Sequence, residues 1–509
     1  MLRHKDLTTM LAAFAAVAFT IAALWLLGAT EGMRFGVSEA VAGCVAALCL
    51  RATGNWSSTC RAALLVAWTL LTWSALMNVW SWTVVAGYPP DDPYVAYEQD
   101  HFRFVVALCE GFDWPGRHYS MMPAMLMAAV LKVFGVNVTY IMALNTLITL
   151  MAIAVIGKTA SCLLSPRTEW SGERIAALAM LMAGVSGFFI FNGVRLWKEP
   201  TLYLASALSA LVLVKISNGD RLKWTTIAAT TIAGAIFCWS RPSYMLVFVA
   251  ATVLCALGNW RKSWRTAALC LMIYGIFFGV SIFESLYGVA YYNRAANTDV
   301  GSIAAHYIVS PSQAPVEGAL GQYFTFPLWK KILVLPFAMA LQFVLPLPWS
   351  MEPIGNPAEY LARINYGWYA IGALVLFYFA WICWRKNAKL RIWALCALMS
   401  FAATAYASAG TVSRYMLPFF CLYIPLAVYV LADSQRLGVT RALKRGMLAF
   451  VALFAIGMCG AYYVQHRSVE EKYGKDVDVR ANVRDPFKNT FVEKDSTGHF
   501  HYPGEADDK

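Results

Sequence analysis

The chain has 509 residues, of which 59% are hydrophobic and only 14% charged, with a net charge of +12 and a positive mean hydropathy of +0.55. A soluble globular domain carries about 25% charged residues, so these values exclude one. Long, continuous apolar runs also exclude a β-barrel, whose strands alternate in hydrophobicity. They point to an all-α polytopic bundle, because a backbone in lipid must satisfy its amides within its own segment.

The basic excess is no sign of nucleic acid. Its Lys and Arg residues stand in short clusters between apolar runs, the pattern of loops retained on the cytoplasmic side. The twelve cysteines do not read as a disulfide framework. Most lie within apolar runs, where cysteine behaves as a small hydrophobe, and none has a metal-site spacing.

In chain order, Arg3 and Lys5 precede a first apolar run over 7–29 that reads as a retained helix, with the N-terminus in the cytoplasm. A weak span over 36–50 returns, and a third over 63–87 exits. Residues 121–135 are too short to cross, since a span needs about 20 residues, and read as an interfacial helix. Crossings follow over 138–164, 174–192 and 199–216. A hairpin over 224–239 and 244–257 has Arg241-Pro242 at its outer tip. The next crossing is 267–287. Residues 332–349 contain Pro336, Pro346 and Pro348 and read as re-entrant. Runs over 367–384, 392–408, 417–431 and 447–464 complete about 13 crossings, with the C-terminus outside. The domain reading is a membrane domain over 1–464, with large outer loops at 87–137 and 288–364, and a polar outer tail over 465–509.

This threading collects unusual polar residues on the outer side. Asp91, Asp92 and Tyr94 follow the third span, and Arg117, His118 and Tyr119 close that loop. Arg195, Lys198 and Glu199 form the next outer turn, with Arg241, Arg414 and Tyr415 at later ones. A basic side chain at a helix end often only reaches toward water. Adjacent carboxylates have short stems and repel each other, so Asp91-Asp92 is the stronger sign of chemistry.

Transfer of a sugar from a lipid-linked phosphate to a hydroxyl would use this set. Guanidinium groups suit the anionic leaving phosphate. One carboxylate would take the acceptor's proton. A second could orient it, raise its pKa or hold a divalent cation such as Mg2+ or Mn2+.

At these residues the chain resembles the GT-C superfamily of polytopic glycosyltransferases. The resemblance lies in Asp91-Asp92-Pro93-Tyr94 after an early span, His118 to Pro123 leading into a short helix, and Ala-Leu-Asn-Thr-Leu at 143–147. It continues in Lys198-Glu199-Pro200 and in Arg414-Tyr415 with Pro418. The family more often has Asp-Glu at the first motif and Asp where Glu199 stands.

The resemblance implies an inverting glycosyltransferase of a bacterial inner membrane, with its site facing the periplasm or exterior. The implied donor is a polyprenyl-phosphate-linked sugar, and the acceptor a cell-envelope glycan or glycolipid. Asp91 would be the base, Asp92 its neighbour, Glu199 a second acid and Arg414 a phosphate contact. Other readings are a polysaccharide polymerase or ligase using the 288–364 loop, a lipid or glycan transporter, and a membrane scaffold.

Overall fold

The computed structural model describes residues 4–52, 56–83, 101–102, 105–106, 108–111, 121–296, 327–344, 388–408, 413–432, 445, 493–494 and 500–501. Apart from a two-residue antiparallel ladder between Glu493–Lys494 and Phe500–His501, every described element is helical. Among the described residues six helices are long and apolar enough to cross a membrane. Shorter apolar helices pack with them.

The first two helices, α1 (His4–Leu27) and α2 (Ala29–Ala52), form a hairpin about a single residue, Gly28, whose φ of 82° lies in the left-handed region. The weak span expected from residue 36 is therefore a full-length helix beginning at Ala29. Its early polar residues are accommodated by local pairing. Arg34 pairs with Glu31, and Glu31 Oε2 accepts from Asn137 Nδ2 at 3.0 Å. Gly32 faces α1 so closely that a Cβ there would sit 2.5 Å from the Leu24 backbone. In lipid no hydrophobic drive holds helices together, so close approach through small residues takes its place. The opposite face of α1, with Phe14 and Trp25, is exposed.

Helix α3 (Ser58–Thr83) packs on these, and α4 (Met121–Phe134) is the short helix expected there. Part of the 87–119 loop, expected to be polar, turns inward. His101, Phe102 and Val105 are buried. Helix α5 (Val138–Leu164) starts at Asn137, whose side chain accepts from the Thr139 amide at 2.8 Å.

The run expected as one crossing over 174–192 is broken. It forms α6 (Gly172–Gly184) and α7 (Gly187–Val194), separated at Val185-Ser186. Helix α8 (Glu199–Asn218) carries Pro200 in its first turn, where a missing amide hydrogen costs nothing. It ends at Gly219, with φ 72°. Helices α5 and α8 form the centre of the bundle, and nearly half of their buried residues are Ala, Gly, Ser or Thr.

The hairpin of α9 (Trp224–Ser240) and α10 (Pro242–Gly258) turns at Arg241, as its sequence indicates. Helix α11 (Trp260–Ala296) begins before its basic cluster rather than after it. Helix α12 (Leu328–Val344) continues through Pro336, which the re-entrant reading had treated as a break. The last described helices are α13 (Ala388–Ser408) and a 3-10 turn, Ser413–Phe419, running into α14 (Phe420–Ala432). The runs expected over 367–384 and 447–464 lie outside the described residues. The described cysteines are all free.

Two ends of the bundle differ. At one, Arg167 Nη2 donates to Asn218 Oδ1 at 3.1 Å, Asn218 Nδ2 to the Cys162 carbonyl at 3.3 Å, and Asn259 Nδ2 to the Ser217 carbonyl at 3.3 Å. The basic residues Arg167, Lys215, Arg221, Lys223, Arg261 and Lys262 gather around the helix ends tied there. At the other end, the start of α8, the α9–α10 turn and the 413–419 turn meet.

Gly32→Ala is expected to destabilise the protein by about 1–3 kcal/mol, because the added methyl must displace backbone. Gly275→Ala, which has open space for its Cβ, is expected to leave stability unchanged or raise it slightly. Thermal unfolding midpoints in detergent check both.

Candidate functional site

The bend between α7 and α8 builds one wall of the candidate site. Residues 195–198 leave the helical path, so their neighbouring carbonyls lose intrahelical donors. Two buried side chains of α5 replace them. Asn145 Nδ2 donates to the Arg195 carbonyl at 2.7 Å, and Thr149 Oγ1 to the Gly193 carbonyl at 2.6 Å. Close approach requires glycine at 193, since a Cβ there would meet Thr149 Cγ2 at 2.8 Å and Oγ1 at 3.0 Å.

So anchored, the bend folds the Arg195 side chain inward. Its guanidinium lies 4.1 Å from the Trp197 ring centroid and 4.7 Å from that of Phe191. Both Arg195 and Trp197 are buried. Lys198 holds the N-cap position of α8 without capping it through its side chain, and its carbonyl accepts from Thr201 Oγ1 at 2.8 Å. Glu199, the first residue of α8, is 4% exposed. Its Oε2 is sealed from solvent and has no hydrogen-bond partner.

Arg241 forms the second wall. It sits between α9 and α10 with its guanidinium 3.7 Å above the Tyr415 ring centroid and 5.4 Å from that of Tyr244. Tyr244 donates its hydroxyl to the Tyr415 carbonyl at 3.0 Å, which ties the 413–419 turn to α10. Burial opposes the charge of Arg241. Tyr244, Tyr415 and the Glu199 carboxylate outweigh that effect and hold the guanidinium more firmly protonated than a free arginine. A stack of rings underlies the pair. Phe189 lies against Tyr203 at 4.1 Å and against Phe420 at 5.4 Å.

The structure therefore brings Glu199, Arg241 and Tyr415 together from three separate segments, with Arg195 and Lys198 on the adjoining bend. Asp91, Asp92, Tyr94, Arg117, His118 and Tyr119 lie outside the described residues. So does the side chain of Arg414, whose backbone belongs to the 413–419 turn. Among the described residues, no group of three His, Cys, Asp or Glu side chains gathers to hold a metal. The acidic pair expected to bind a divalent cation is not among them.

Sequence reading missed Thr149, Trp197 and Tyr244, and held Asn145 only as part of the 143–147 motif, without a role. It also missed Glu39, buried at the middle of α2. Its Oε1 accepts from Thr146 at 3.1 Å, its Oε2 from Thr72 at 3.3 Å, and its carbonyl from Trp68 Nε1 at 3.1 Å. A carboxylate within an apolar run was the available signal.

Gly193→Ala is expected to cost about 1–3 kcal/mol by forcing the 193 carbonyl away from Thr149. Combining it with Thr149→Ser, which removes the clashing Cγ2, should recover part of that loss. A double-mutant cycle on unfolding midpoints checks the coupling.

No protein-family profile matches the chain, and no curated protein or solved structure is significantly similar to it.

Proposed function

We propose that this chain is a membrane glycosyltransferase that moves a sugar from a polyprenyl-phosphate-linked donor to a glycan or glycolipid acceptor. The observation that carries the reading is the meeting of a buried, incompletely paired carboxylate, Glu199, with the Arg241 guanidinium at one end of an apolar bundle. An anionic lipid headgroup needs fixed cations at a membrane boundary, and a proton acceptor must stand beside them.

The threading supports an outward-facing site. If the basic end defined by Arg167, Lys215 and Arg261 is cytoplasmic, then Glu199 and Arg241 face the periplasm or exterior. About 13 crossings, an inner N-terminus and an outer C-terminus follow from the same rule.

In this reading Arg241, with Arg195 and Lys198, binds the donor phosphate. Stacking on Tyr415 fixes the plane of Arg241 and leaves its edge for oxygen atoms. As the bond from sugar C1 to phosphate oxygen breaks, the acceptor oxygen bonds to C1 from the opposite face. Its proton passes to a carboxylate, Asp91 or Asp92, and polyprenyl phosphate leaves with the electron pair. Glu199 orients the cationic groups.

A second reading, a proton-coupled lipid or glycan transporter, is favoured by Glu39. An ionisable side chain at mid-depth in a membrane helix commonly marks a transport path.

Transfer from a labelled panel of polyprenyl-phosphate sugars tests the proposal. Asp91→Asn or Asp92→Asn is expected to lower kcat by about 10²–10⁴-fold with folding retained. Arg241→Lys, which loses planar stacking, should raise KM by about tenfold. The reading is overturned by full turnover in both Asp variants, by no transfer from wild type, or by labelling that places residue 94 on the cytoplasmic side.

A further inference from the structure

We infer that Glu39 is a positioning residue for the 195–198 bend and acts through α5. The bearing of this role on turnover rests on the glycosyl-transfer reading above. Each oxygen of the Glu39 carboxyl accepts from a threonine on a different helix, Thr72 on α3 and Thr146 on α5. Thr146 is the immediate neighbour of Asn145 and lies one turn before Thr149. Those two residues hold the Arg195 and Gly193 carbonyls. All four of Thr72, Asn145, Thr146 and Thr149 are fully buried. Glu39 thus ties α3 and α5 to α2, and α5 in turn holds the bend that presents Glu199.

The surroundings of Glu39 leave this tie as its visible role. Between residues 62 and 83 α3 has no ionisable side chain, and α5 has only Tyr140 before Lys158. In α1 the only such groups precede Leu7. Among the described residues of α1, α3 and α5, no cation therefore stands opposite the carboxyl, whose partners are hydroxyls. Trp68 Nε1 fixes the Glu39 backbone as well, so the carboxyl is aimed by its own helix as well as by its partners. A glutamine can make the same two contacts, accepting from one threonine and donating to the other. A leucine of similar size can make neither.

Hydrogen exchange on the full chain in lipid nanodiscs tests the inference. Glu39→Leu is expected to speed amide exchange across 187–199 by about tenfold, in line with the loss of two interhelical hydrogen bonds. Glu39→Gln should match wild type, and Thr146→Val, a milder change, should move the same amides in the same direction. Exchange across 215–224, at the opposite end, should stay constant. The inference is overturned if the bend is unchanged in Glu39→Leu and Thr146→Val, if exchange rises uniformly at both ends, or if Glu39→Gln behaves like Glu39→Leu.

Sugar transfer supplies a second readout, with kcat lowered in Glu39→Leu, KM nearly constant, and Glu39→Gln active. If wild type transfers no sugar, the functional reading fails while the exchange comparison still decides the role of Glu39.

Discussion

A chain that leaves the helical path among apolar helices must find new donors for the carbonyls it frees. The constraint is severe, because an unsatisfied peptide group in hydrocarbon costs several kcal/mol. Here the 195–198 bend meets it through Asn145 and Thr149, two side chains of one neighbouring helix. The rest of the site follows from that solution. The bend can exist, so α8 can begin at Glu199. The Arg195 side chain can then turn back over Phe191 and Trp197. Small residues on α5 and α8 complete the arrangement by letting the two helices approach closely enough for short side chains to reach across.

Much of the fold was legible because apolar length is a strong signal. The helix over 138–164 and the hairpin turning at Arg241 stand where their sequences put them. Failures have local causes. Thr30, Glu31 and Gly32 looked like a loop, yet they are helical. A single glycine makes the turn, and Glu31 finds partners in Arg34 and Asn137. The 174–192 run looked uniform, but it breaks where Ser186 follows Gly184 and Val185. Proline at 336 did not end its helix.

The site was legible only in part. Glu199, Arg241 and Tyr415 are charged or aromatic residues at turns, and turns at a common end of a bundle converge. Asn145, Thr149 and Glu39 lie inside spans, where polarity reads as packing noise unless the partner helix is known. The Ala-Leu-Asn-Thr-Leu segment illustrates this. Its Asn and Thr are adjacent in sequence, but one grips a bend on one side and the other a carboxyl on the other. Only the rotation of α5 against its neighbours separates those tasks.

The rings beneath the site have a mechanical consequence. Phe189 is held between Tyr203 and Phe420 with both interplanar angles small, 14° and 9°. Parallel rings slide over one another cheaply but resist being pulled apart. The segment that carries Glu199 and the one that carries Tyr415 are therefore clutched together, free to shear but not to part. Parting them requires breaking that clutch.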